Sequence, residues 1–406
     1  MSRNYYVLKN GRVRRENNTV YIENADGKKT PLPVENIESL YLYGEIDINT
    51  RLLNFLAQKR ITLHVFNYYG FYSGSFYPRD YLHSGFLLVR QAEHYGTEPK
   101  RVALAKEFVQ GAAHSLLRNV LYYERRRGKP ATANETEPTG EVGIYPEDAR
   151  LPPAVPRDAD AESAVDAAVF VPLAEDENTD PFAPPPPEDG PDDPGADETP
   201  ESAAELSRIR LSMEKLSDAI DQQGTVASLM GIEGKLRQRY FAAWEHLLVG
   251  DWTFSRRVRR PPDNEVNSLI SFGNGLLYSV CLAEIYRTQL TPTISFLHEP
   301  GVKRFSLALD LSEIFKPLIV DRAIFRLLNT GQLKKSHFDR DTNGCFLNDD
   351  GKTLFIGEIQ KKLDTTVKHR RLNRSVTYRH LIRLECYKLI RHLTGLETYK
   401  AFRAWW

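Results

Sequence analysis

The stretch TPTISFLHEPGVKRFSLALDLSEIFKP, Thr291 to Pro317, holds a histidine and two carboxylates at a spacing that can do chemistry. His298 is followed by a turn at Glu299-Pro300-Gly301. The alternation Phe305-Ser306-Leu307-Ala308-Leu309 predicts a short strand. Asp310 then stands where a strand gives way to a helix, with Glu313 three residues on, so both carboxylates fall near one side of the first turn. One imidazole and two carboxylates grouped in this way can hold a hard divalent cation. The same spacing also resembles a capping box, and a lone histidine after an apolar run is commonly structural. A further carboxylate comes from MGIEGKLRQRYFAAW, where Glu233 sits between two glycines at an expected helix start. Arg237 and Tyr240 follow on its side of that helix, and by itself this glutamate also reads as a cap.

The elements that must position these groups follow from the rest of the chain. Its 406 residues suffice for two or three domains, and 41% hydrophobic content allows substantial cores. Cys281, Cys345 and Cys386 are too scattered for a disulfide framework or a zinc cluster, which points to a reducing compartment. There is no continuous apolar run of spanning length and no apolar signal core in MSRNYYVLKNGRVRR, so a cytoplasmic protein without a membrane segment is expected.

The formal net charge of zero hides two opposed halves. Between Ala131 and Glu205 lie 21 Asp and Glu against two basic residues, Arg150 and Arg157, together with 14 of the 24 prolines. Such a segment cannot bury enough apolar surface to offset its ordering entropy and is expected to be a disordered insertion. One function for it is competition with DNA for the basic surface; an inert insertion is the alternative. Without it the chain carries a net charge of +19, which favours a polyanionic partner.

Residues 1–80 read as a β-sandwich-like domain with one helix. Hairpin signals lie at Asn10-Gly11 and Asp26-Gly27, and Asn49 or Thr50 caps a helix over RLLNFLAQKR. The Tyr- and Phe-rich run from Tyr68 to Tyr81 suits a core or dimer face better than base stacking. Residues 81–130 and 206–406 form a mainly α-helical domain, giving an α+β multidomain fold. Its candidate phosphate contacts are Arg90 and Arg237, the loop cluster Arg256, Arg257, Arg259 and Arg260 fixed by Pro261-Pro262, and Lys368, Arg370 and Arg371 in the basic tail.

Taken in order, IEGKLRQRYF, RRPPDNEVNSLISFGNGLLY, TPTISFLHEP and LDLSEIFKP resemble the CRISPR-associated integrase family, nearest to its type I-B form. The resemblance spans the chain outside the acidic insertion. It implies an N-terminal β-domain, a helical domain that carries the site, and Mg²⁺ or Mn²⁺ held by Glu233, His298 and Glu313, with Asp310 supporting them. Some members carry Asp at the position of Glu313, a departure that touches fine metal geometry. It also implies spacer insertion by attack of a DNA 3′-hydroxyl on a phosphodiester, a homodimer formed through the β-domains, and a small ferredoxin-like partner. A non-catalytic DNA-binding scaffold and a general branched-DNA or RNA metal nuclease are the alternatives.

Overall fold

The computed structural model describes residues 3–24, 27–67, 69–78, 84–127, 200–259, 261–302, 304–341, 344–369 and 372–404. The acidic insertion expected at 131–205 lies outside them up to residue 199, as do Arg260, Arg370 and Arg371.

The N-terminal strands are β1 (Arg3–Val7), β2 (Gly11–Glu16), β3 (Thr19–Asn24), β4 (Lys29–Pro33), β5 (Ile37–Leu42), β6 (Ile46–Asp47), β7 (Thr62–Phe66) and β8 (Tyr72–Phe76), with helix α1 (Thr50–Gln58) before β7. They form two four-stranded sheets, ordered β1-β5-β7-β8 and β4-β3-β2-β6. Both sheets and α1 close on one apolar core that includes Val7, Val13, Val20, Leu32, Leu40, Leu52, Phe55 and Leu63, so the sandwich-like expectation and its helix hold. Asn49 caps α1, accepting from Leu52 N at 2.9 Å.

The hairpin expected at Asn10-Gly11 does not form. β1 pairs in parallel with β5, and β2 pairs with β3. Asn10-Gly11 carries the chain from one sheet to the other: Asn10 Oδ1 accepts from Glu45 N at 2.9 Å, and a Cβ on Gly11 would lie 2.3 Å from Glu23 O. The tight reversal falls instead between β2 and β3, with Asn17 at φ 54°. β3 and β4 are antiparallel around Gly27, as expected, although residues 25 and 26 lie outside the described set.

The remaining elements are mostly helical: α2 (Gly85–Gly96), α3 (Glu98–Arg127), α4 (Pro200–Asp218), α5 (Val226–Leu247), α6 (Glu265–Tyr286), α7 (Ser306–Lys316), a π-helical turn over Pro317–Asp321, and α8 (Arg322–Asn329). After them come hairpin β9–β10 (Phe338–Asp341, Gly344–Leu347), α9 (Asp349–Asp364), hairpin β11–β12 (Thr366–His369, Arg374–Thr377) and α10 (Tyr378–Leu393). Among the described residues α6 is the one helix long and apolar enough to cross a membrane, and 78% of that window is buried inside the protein. It forms the axis of the large helical core.

The outer face of sheet β1-β5-β7-β8 rests on α6. Tyr43 and Phe66 stack at 4.2 Å, Phe272 lies 5.5 Å from Tyr43, and Tyr77 stacks on Tyr286 at 3.5 Å. A buried ion cluster joins the same elements. Glu38 on β5 meets Arg287 at 3.0 Å and Arg383 at 3.2 Å, while the fully buried Glu284 meets them at 2.8 and 2.6 Å. At the far side of the core, α3 and α4 run together: Glu124 accepts from Ser207 Oγ at 2.6 Å and from Arg210 Nε at 2.7 Å.

Candidate functional site

The alternation at Phe305–Leu309 predicts a strand, and the chain there is helix. α7 opens at Ser306, and Ser306, Leu307, Ala308, Asp310, Leu311, Ser312, Glu313, Ile314 and Phe315 are all buried. A helix buried on nearly every side loses its polar face and with it the 3.6-residue period. Asp310 therefore sits in the second turn and is not an N-cap; Phe305 holds that position and makes no side-chain cap bond. Glu233 moves in the same way. α5 begins at Val226 behind Thr225, whose Oγ1 accepts from Ser228 N at 3.2 Å, so Glu233 lies in the helix interior. Neither carboxylate caps a helix.

Asp310 is fully buried. Its Oδ2 accepts the backbone N–H of Phe296 at 2.7 Å and of Leu297 at 3.0 Å. Its Oδ1 accepts the N–H of His298 at 3.0 Å and lies 2.8 Å from His298 Nδ1. One carboxylate thus gathers three successive amides and the imidazole. With Nδ1 donating to Asp310, Nε2 keeps a lone pair.

Glu313 lies one turn beyond Asp310 on α7. Its carboxylate and that of Glu233 both pair with the Arg237 guanidinium. Lys316 Nζ reaches the other Glu313 oxygen at 2.6 Å. Two helices that are distant in sequence therefore bring two carboxylates to one cation. The imidazole of His298 is held by Asp310, and among the described residues no three ligating side chains stand gathered at metal-ligand range. The donors fit a hard divalent ion by type: two carboxylates, a histidine held by Asp310 one helical turn from Glu313, and positive charge already placed between the carboxylates.

Beneath this pair runs a seam of charge that sequence reasoning missed. Burial, with Arg237 adjacent, draws the Lys316 ammonium down to about 7. Burial pushes the Asp321 carboxyl up to about 7 against the pull of Arg237. Asn119 donates to Tyr240 Oη at 3.0 Å and to Pro317 O at 2.7 Å. The π turn carries one residue beyond a regular helical repeat and places Asp321 by Tyr240. Only the three-residue step from Glu313 to Lys316 is visible in the sequence.

The predicted DNA contacts divide by exposure. Arg90 is exposed and pairs with Glu93 at 2.9 Å. Arg256 and Arg259 are exposed, and Lys368 stands exposed on β11. Arg237 is engaged by the two carboxylates. Arg257 is turned inward, donating to Asn267 Oδ1 at 2.9 Å and Ser271 Oγ at 2.8 Å, and its burial lowers it to about 10. It braces the loop from within.

A family model for CRISPR associated protein Cas1 matches residues 5–142 and 195–361. The chain belongs to that family. It is 40% identical over 409 residues to the CRISPR-associated endonuclease Cas1 of Clostridium perfringens, covering 100% of both chains. It is 37% identical over 399 residues to that of Methanocaldococcus jannaschii, covering 98% of each. Among solved structures, a Cas1 protein from Thermotoga maritima is 33% identical with a TM-score of 0.69, over 98% of this chain and 99% of that one. A casposase bound to integration product shares the fold at a TM-score of 0.71 and 17% identity, over 99% and 93%. The Cas1 match skips residues 143–194, which lie within the acidic, proline-rich stretch.

Proposed function

We propose that this chain is a metal-dependent DNA endonuclease and integrase of CRISPR adaptation, inserting spacer DNA by attack of a 3′-hydroxyl on a phosphodiester of the array. The observation that carries the reading is the convergence of Glu233 and Glu313 on one cation, with His298 fixed by Asp310 one helical turn away. Glu233, Glu313 and His298 would hold Mg²⁺ or Mn²⁺, which supplies Lewis-acid stabilisation of the phosphodiester and activation of the attacking hydroxyl. Asp310 sets the imidazole tautomer and aims Nε2, which can ligate or carry a proton. Arg237 and Lys316 neutralise the carboxylates before loading. Arg256, Arg259, Arg90 and Lys368 stand where the DNA backbone can reach them, with Arg260, Arg370 and Arg371 assigned the same role from the sequence alone. The protein works as a cytoplasmic homodimer on double-stranded DNA with a small ferredoxin-like adaptation partner. The family resemblance supports that assembly.

The test is strand transfer into a supercoiled plasmid carrying a CRISPR array, with the small partner, a duplex with free 3′ ends, and Mg²⁺ or Mn²⁺. Glu233→Ala, His298→Ala and Glu313→Ala are each expected to remove product while keeping the wild-type circular dichroism spectrum. Full activity of His298→Ala, or chelator-resistant activity, sinks the assignment.

A further inference from the structure

The segment between α6 and α7 that delivers His298 has no regular structure among its described residues from Leu290 to Phe305. Much of its backbone is buried, so its polar groups need partners from elsewhere. Their destinations can be traced one by one. Pro292 O accepts from Leu307 N at 3.0 Å, and Thr293 O from Ser306 Oγ at 2.8 Å. Phe296 O accepts from Arg101 Nε at 3.0 Å, and His298 O from Ser295 Oγ at 2.5 Å. The amides of 296, 297 and 298 go to Asp310.

The near end of the strap is held by one side chain. Gln91, on α2, is fully buried. Its Nε2 donates to Thr291 O and to Ile294 O, each at 2.8 Å, and its Oε1 accepts from Thr291 N at 3.0 Å. A planar amide with two donors and one acceptor fills the same three needs that a strand neighbour would otherwise meet.

We propose that Gln91 is a positioning residue for His298: it anchors the start of the strap while Asp310 anchors its end, so the imidazole is placed from two helices at once. The inference rests on the reading of His298 as a metal ligand. No other isosteric neutral side chain meets all three bonds. Methionine leaves Ile294 O and Thr291 N without partners and leaves Thr291 O only the long 3.5 Å contact from Ile294 N, and glutamate sets a carboxylate against the two carbonyls.

A double-mutant cycle tests the proposal, read out as Mn²⁺ affinity of the full-length protein by calorimetry or electron paramagnetic resonance. Gln91→Met is expected to weaken Mn²⁺ binding about tenfold, the range typical of groups that orient a ligand. His298→Ala weakens it as much or more, and the double variant is no worse than His298→Ala alone. DNA affinity without metal stays at the wild-type level in each. If Gln91→Met does not fold, the isosteric Gln91→Glu carries the same cycle. Unchanged Mn²⁺ affinity in His298→Ala overturns the metal reading itself. A loss in His298→Ala with none in the Gln91 variants overturns the assignment of Gln91 alone. Losses that add in the double variant also overturn it, because they show a general weakening of the fold.

Discussion

At the scale of residues, the proposed site is built from side chains that answer to one another more than to solvent. Arg237 is the clearest case. It lies four residues after Glu233, as a surface i,i+4 pair would, yet it also holds Glu313 from another helix. Removing it leaves two carboxylates facing each other, with Lys316 as the remaining partner of one. Arg237→Met is expected to lower metal-free stability by about 1–3 kcal/mol. Added Mn²⁺ should raise its melting temperature by more than it raises the wild type's. Differential scanning fluorimetry with and without Mn²⁺ checks both. Glu233, His298, Asp310 and Glu313 can be picked out in the sequence by type and spacing, but there they read equally as caps and a structural histidine, and it is the family resemblance that groups them as one proposed site. Gln91, Lys316 and Asp321 are not legible there at all, because their roles come from burial and from partners up to about 200 residues away, which no local pattern encodes.

At the scale of elements, the sequence shows helices and strands wherever one face meets water. α1, α5 and α10 declare themselves in this way. It misleads where burial is complete, as in α7, and where a turn signal serves a different geometry, as at Asn10-Gly11. The β11–β12 hairpin is likewise hidden in a run rich in arginine and lysine, since charge on both faces of a short exposed strand erases its alternation. Packing between elements is close where α6 meets the π turn. A Cβ on Gly273 would lie 2.6 Å from Val320 Cγ1 and 3.0 Å from Phe355 Cζ. Gly273→Ala gains about 1 kcal/mol in helix propensity but costs about 2–3 kcal/mol in overpacking. A net loss of about 1–2 kcal/mol is therefore expected in urea unfolding, and a melting temperature at or above the wild-type value contradicts this account of the contact.

At the scale of the whole molecule, the sheets and the helices are tied by charge as well as by rings. Burial raises the Glu284 carboxyl, but Arg383 and Arg287 outweigh it and hold the group at about 2, against 4.5 for an ordinary glutamate. The folded-state value lies below the unfolded one. The stabilisation is therefore complete above about pH 4.5 and is lost as the pH falls towards 2. Its full size is about 3 kcal/mol. Glu284→Gln should accordingly be less stable than the wild type at pH 7, and the two urea midpoints should converge as the pH approaches 2. A gap that persists unchanged at pH 2 to 3 removes Glu284 as the charged tie.

The side-by-side contact of Glu124 with Ser207 and Arg210 also bears on how this protein can change over time. Chain that leaves one helix and re-enters beside it closes a ring whose entropic penalty grows only with the logarithm of its length. Lineages can therefore lengthen, shorten or rewrite what lies between those two helices at little thermodynamic risk. No such room exists around Gln91 and Asp310, whose hydrogen bonds hold the buried segment between α6 and α7 in place.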